Sequence, residues 1–277
     1  MTFPTIVNED ISSVNSPSFL NLPQRPNKPR NRGITHVIDR GIGLGKAQDL
    51  LETSSHLIDF IKLGWGTGYV TRNLQHKINL YRQFDINLCF GGTFFEVAIL
   101  QNKFDEFRKY LQNFKMTHVE VSTGSIHLPL EQKCRYIEAL AQDFVVISEV
   151  GSKNPNQVIP ACIWIENIQA ELTAGAWKVV AEARETGTAG IYCGNGEIRL
   201  ELIDEILTQV NFNDLIFESP KKSQQVCLIK KIGHLVNLGN IAVNDVIALE
   251  TLRLGLRSDT LETFHKNSQN EWMFYSK

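Results

Sequence analysis

Long apolar runs, paired cysteines, clustered histidines and a charge of one sign are all missing from this chain of 277 residues. Each absence removes a class of protein. No apolar stretch approaches the ~20 residues needed to span a bilayer, so no membrane partner is expected. The five cysteines (Cys89, Cys134, Cys162, Cys193, Cys227) are odd in number, widely spaced and without a CxxC pair. That pattern indicates neither a disulfide framework nor a zinc knuckle, and small buried thiols suit a reducing cytoplasm. The seven histidines form no HxH or HExxH pair of the zinc-binding kind. Net charge is -2, and no basic stripe carries interleaved aromatics, which argues against nucleic acid. The first residues lack the basic and apolar regions of a signal peptide. A soluble intracellular protein is expected, with a homo-oligomer left open. At 43% hydrophobic and 21% charged, the composition is that of an ordinary globular chain.

What is present is alternation. Residues 1–32 are rich in Asn, Ser and Pro and read as a flexible or surface-draped arm. From residue 33 to 277 strand-like and helix-like patterns take turns. The strands are expected at Thr35–Asp39, Ile58–Lys62, Ile86–Phe90, His118–Ser122, Phe144–Glu149, Lys178–Glu182, Asp214–Glu218 and Leu235–Leu238. Between them, Phe104, Phe107, Leu111 and Phe114 make one apolar helix stripe. Leu74, Ile78 and Tyr81 make another, and Leu130, Cys134, Ile137 and Ala141 a third. Eight strand–helix units over ~245 residues match a single (β/α)₈ TIM barrel. An open doubly wound sheet shares the alternation, but Gly41, Gly43 and Gly45 fall at alternate positions and do not make GxGxxG.

In a barrel the chemistry gathers at the C-terminal strand ends. Those ends carry Asp39 and Arg40, Lys62, Glu120 and Ser122, Glu149 with Lys153, Glu182 with Arg184, and Glu218. Lys62 closes the apolar run Ile58–Ile61 just before Gly64-Trp65-Gly66, and a lysine buried there needs an anionic partner. A structural ion pair is the plain alternative for any one of these groups. Their recurrence at one topological level favours a site, because like charges repel unless a cation or substrate binds. Carboxylates without clustered histidine or cysteine suit Mg²⁺, with Asp39, Glu149, Glu182 and Glu218 as candidate ligands. The cations suit an anionic substrate. Ser223 and Gln224 after strand seven, with Asn237, Gly239 and Asn240 after strand eight, are candidates for a phosphate, which this fold commonly binds there. Capping and turn chemistry is the other explanation for Ser223 and Asn240.

Several longer motifs resemble one family. Asp59–Thr67 (DFIKLGWGT) is similar to the DFVKFGWGT signature of phosphosulfolactate synthases. Gly91–Glu96 (GGTFFE), Lys103–Phe107 (KFDEF), Glu149-Val150-Gly151, Phe217–Val226 and Leu249–Arg257 follow in the family's order. The resemblance spans roughly Arg32 to Thr260. It implies a barrel lyase that adds sulfite to phosphoenolpyruvate with Mg²⁺, giving (2R)-3-phosphosulfolactate. It also implies a lysine that protonates C2, here Lys153 or Lys62, and arginines that hold substrate anions, here Arg40 and Arg184. Two positions depart from the family pattern. Arg40 stands where VLDKG has lysine, and Ser152 stands for the first lysine of EVGKK. A diverged enzyme, or a non-catalytic relative similar to plant heat-stress-associated proteins, is the alternative.

Overall fold

The computed structural model describes residues 19–154 and 157–265. Eight strands alternate with helices: β1 (Thr35–Asp39), β2 (Phe60–Leu63), β3 (Asn87–Phe90), β4 (His118–Val121), β5 (Val145–Val150), β6 (Ala176–Ala181), β7 (Leu215–Glu218) and β8 (Leu238–Ala242). The helices are α1 (Leu44–Ser54), α2 (Thr67–Val70), α3 (Leu74–Gln83), α4 (Gly92–Leu100), α5 (Phe104–Asn113) and α6 (Leu130–Ala141). They continue as α7 (Ala161–Thr173), α8 (Leu200–Gln209), α9 (Lys222–Ile232), α10 (Val246–Arg253) and α11 (Ser258–Phe264). The helix stripes turn inward as their spacing requires: Phe107 and Leu111 of α5, and Leu74, Ile78 and Tyr81 of α3, are buried.

All strand pairings are parallel, in the order β3-β2-β1-β8-β7-β6-β5-β4. That order is sequential around a circle, as a barrel demands, whereas a doubly wound sheet reverses at a switch point. β3 and β4 lie side by side without a ladder. The seam between them is bridged by the Gly92 N–H at the start of α4, which donates to Glu120 Oε1 of β4 at 2.6 Å. The result is a nearly closed (β/α)₈ barrel.

Strand parity decides what reaches the interior, because successive side chains point to opposite faces. Ile34, Phe60, Ile147, Val180 and Ile216 form an apolar plug of their own inside the barrel. The other face of each strand, including Val37, Ile61, Val119, Val179 and Phe217, packs against the helices. Two residues beyond the plug come Lys62, Glu149, Glu182 and Glu218, still facing inward. They form a charged layer directly above an apolar one.

The last strand differs from the sequence expectation. It runs Leu238–Ala242 rather than Leu235–Leu238. Gly239 and Asn240, which look like loop residues, are therefore inside the strand. Gly239 is there for space: an added Cβ would lie 3.0 Å from Ile216 Cγ2 and 3.1 Å from His36 Nδ1. Asn237 moves to the opposite end of the barrel. There its Oδ1 accepts from the Ile34 N–H at 3.0 Å and its Nδ2 donates to the Asn213 and Leu215 carbonyls.

Residues 1–18 of the expected arm lie outside the described residues, as do 266–277. Residues 19–32 have no helix or strand and drape over the N-terminal end of the barrel. Arg25 anchors them. It pairs with Glu250 at 2.6 Å and Asp59 at 3.2 Å, and donates to the Gly33 carbonyl and to Thr35 Oγ1. Arg30 adds a 2.8 Å pair with Asp59.

Candidate active site

Five glutamates and two lysines meet at the C-terminal mouth. Lys62 Nζ, from β2, lies 2.9 Å from Glu120 Oε2, 3.2 Å from Glu218 Oε1 and 3.9 Å from Glu149 Oε2. Lys153, from the loop after β5, reaches back over the mouth. Its Nζ is 3.1 Å from Glu149 Oε1, 3.6 Å from Glu182 Oε2 and 4.0 Å from Glu96 Oε1. Ser122 ties these groups together. Its Oγ stands 2.7 Å from Glu149 Oε1 and 3.0 Å from Glu96 Oε1, and accepts from Lys153 Nζ at 3.1 Å. Backbone amides hold the carboxylates in place. Ala183 N–H donates to Glu218 Oε2 at 2.9 Å, Arg184 N–H to Glu182 Oε1 at 2.5 Å, and Ser125 N–H to Glu96 Oε1 at 3.0 Å.

Charge and burial then set the protons. Burial alone disfavours a charged Lys62, but Glu120, Glu218 and Glu149 outweigh it and hold its pKa well above the ordinary value. Lys153 is raised in the same way by Glu149 and Glu182 against the cost of burial. Both lysines stay protonated. Burial and the nearby Glu149 and Glu218 push Glu182 well above the usual carboxylate range. Burial opposes ionisation of Glu149 too, yet Lys153, Glu182 and Lys62 keep it well below that range. Glu120 is pushed up to about 7 by burial, with Lys62 working the other way.

The groups expected from sequence are not all brought together. Lys62, Lys153, Glu149, Glu182, Glu218, Arg184 and Asn240 line one cleft, with Ile38, Trp65, Gly91-Gly92-Thr93 and Glu120. Asp39 is not among them. It pairs in register with Leu63, one step off the Lys62 parity, so it faces the helices. There Gly41 N–H, Ile42 N–H, Tyr81 Oη and Lys77 Nζ satisfy its carboxylate. Arg40 is exposed outside the cleft. Ser223 is exposed on α9, and Gln224 donates to the Gly187 and Gly196 carbonyls, pinning the β6–α8 loop. Gly239 lies below the charged layer and Asn237 at the far end, as described. Ser152 turns away, donating to Gln157 Oε1 at 2.7 Å. Neither departure from the family motifs touches the cleft.

Glu96 has no counterpart among the strand ends, because it comes from a helix. Gly92 and Glu96 are four residues apart on α4 and so share a face. Gly92 lies so close to β4 that an added Cβ would meet Ser122 Cβ at 2.4 Å. That approach carries Glu96 into the site one turn later. The i, i+4 spacing from a glycine pair to a glutamate is the sequence signal for it.

Among the described residues, no set of three His, Cys, Asp or Glu is arranged to hold a metal unaided, since lysine ammoniums interleave. Glu96 Oε2, Glu182 Oε2 and Asn240 Oδ1 are buried oxygens without a hydrogen bond. Hard oxygens of this kind fit Mg²⁺, which commonly takes one or two carboxylates and completes its shell with water and substrate.

Fold and mouth together define a (β/α)₈ barrel with buried lysines and glutamates gathered at its C-terminal end, the architecture of an enzyme that acts on a small molecule. The family model described as (2R)-phospho-3-sulfolactate synthase (ComA) matches residues 23–259, and the chain belongs to that family. Phosphosulfolactate synthase of Bacillus subtilis is 44% identical over 244 residues, covering 87% of this chain and 97% of that protein. The Methanothermobacter thermautotrophicus phosphosulfolactate synthase is 43% identical over 245 residues, covering 86% and 95%. Solved structures share the fold at low identity. A 3-hexulose-6-phosphate synthase superposes with TM-score 0.50 at 13% identity, covering 79% of this chain and 98% of that one. Deoxyribose phosphate aldolase from Aeropyrum pernix gives TM-score 0.50 at 11% identity, covering 79% and 88%.

Proposed function

We propose that this enzyme is a lyase that adds sulfite to phosphoenolpyruvate, giving (2R)-3-phosphosulfolactate. The observation that carries the proposal is the pair of protonated lysines held in a basin of glutamates at the barrel mouth. Membership of the family supports it. In the reaction the sulfur lone pair attacks C3 and forms the C–S bond. The π pair moves to C2 and into the substrate carboxylate, and a proton delivered to C2 completes the product with the phosphate ester intact. A bound Mg²⁺, held by Glu182 with Glu149 or Glu96, would supply positive charge where the carboxylate becomes electron-rich.

The chain's own groups do the rest. Lys62, deep and fixed by three carboxylates, is a permanent charge that stabilises the electron-rich intermediate. Lys153 is the proton donor. Its ammonium is at the open side of the cleft, with 24% of the side chain exposed, so solvent can return the proton after transfer. Arg184, which lines the same cleft, holds a substrate anion with its planar guanidinium. No covalent nucleophile is called for. All five cysteines are free thiols, which suits the cytoplasm to which we assign the enzyme. No helix among the described residues is long and apolar enough to cross a membrane. The test is direct: purified protein with sulfite, phosphoenolpyruvate and Mg²⁺, followed by phosphoenolpyruvate loss and identification of the product by NMR. Phosphoenolpyruvate that persists under those conditions refutes the assignment.

A further inference from the structure

Among the described residues, seven non-glycine positions have positive φ: Trp65, Asn73, Asp85, Asn102, Lys115, Arg184 and Asn240. Four are ordinary helix-end residues. Asn73 stands at the N-cap position of α3 and is a residue type that tolerates the left-handed region, while Asp85, Asn102 and Lys115 each follow the C-cap of a helix, where left-handed backbone is the rule. The remaining three are not at such helix ends. They come from the loop after β2, the loop after β6 and the interior of β8, and all three line the cleft. Their φ values are 51°, 59° and 54°. For a residue as bulky as tryptophan this is a true outlier, and such strain persists only where the surroundings enforce it. Among the described residues, none of the three side chains has a hydrogen-bond or ion-pair partner. Asn240 is 4% exposed, while Trp65 is 40% exposed at the rim.

The three share one chemistry. Indole, guanidinium and amide all offer N–H donors, whereas the cleft floor is glutamate and its lysines are already engaged. We infer that Trp65 and Asn240, with Arg184, are the specificity-determining residues of the cleft, held in strained backbone so that their N–H groups meet the oxygens of a small phosphorylated carboxylic acid. The inference rests on the proposal that the cleft takes such an acid. It adds that recognition comes from these three strained positions rather than from a helix N-terminus.

Alanine and glycine replacements at Trp65 and Asn240 separate strain from recognition. Both remove the donor, but only glycine relieves the left-handed backbone. Each variant is expected to raise KM for phosphoenolpyruvate about 10-fold or more, the worth of a hydrogen bond to a charged group. Each should also show a clearly smaller melting-temperature rise with phosphoenolpyruvate than the wild type at the same concentration. The glycine variant should melt above the alanine variant by about 2–4 °C. Wild-type KM and an undiminished ligand-induced rise in both variants overturn the inference, as does a wild type that shows no rise with phosphoenolpyruvate. If the wild type shows the rise, the variants diminish it, and no sulfite is consumed, the recognition stands and the proposed reaction falls.

Discussion

Lys62 and Lys153 share one basin of glutamates, but 6% of the Lys62 side chain is exposed against 24% for Lys153. The deeper group is suited to fixed charge and the outer one to proton delivery. Lys153→Met is therefore expected to lower kcat by about 10²–10⁴ with little change in KM for phosphoenolpyruvate. Steady-state kinetics of the two parameters check it. Glu120 provides a pH test. Its carboxyl is raised from 4.5 to about 7, so the folded state prefers it protonated. Its stabilising contribution is full below pH 4.5 and is lost as pH climbs through about 7. Glu120→Gln keeps the acceptor for the Gly92 N–H and removes the titration. Relative to wild type the variant should gain stability across that window, by no more than about 3 kcal/mol. Parallel denaturant melts at pH 4.5 and pH 8 read it, and parallel curves at the two pH values contradict it.

Among the elements, the draped segment and the start of α4 are the informative ones. Arg25 is 5% exposed and paired to both Asp59 and Glu250. Arg25→Ala strips the partner from half-buried Glu250, while Arg30 still serves Asp59, and should cost about 3 kcal/mol. Removing residues 1–32 should lower the melting temperature at least as much as Arg25→Ala does. A truncated chain that melts with the full one would show that the segment contributes nothing. Gly92→Ala forces α4 away from Ser122, where its Cβ would stand at 2.4 Å. Glu96 and the Glu120 contact move with the helix, so activity should fall even where the fold survives.

At the scale of the whole molecule, the proposed metal is tested by removing it. Activity should vanish in excess EDTA and return with Mg²⁺; full turnover under chelation excludes the cofactor proposed here. Much of the architecture was legible from the chain alone. Apolar runs of strand length, amphipathic stripes at helical spacing and charged residues at strand ends come from local chemistry, and they pointed to the barrel and to Lys62, Lys153, Glu149, Glu182 and Glu218 as one cluster. Strand boundaries and parity were not local. Whether Asp39 faces the cleft or the helices turns on a single-residue step in register, which pairing with β2 decides. Gly239 and Asn240 read as a turn because glycine and asparagine usually make one, and it is pairing with β7 and β1, with Gly239 fitting the tight space beside Ile216 and His36, that puts them in β8. Glu96 enters the site because a helix docks without a Cβ at Gly92. The sequence by itself determined which elements form and which charges end them. The tertiary structure alone decided which of those charges face one another, because that depends on register, helix docking and backbone strain set by distant parts of the chain.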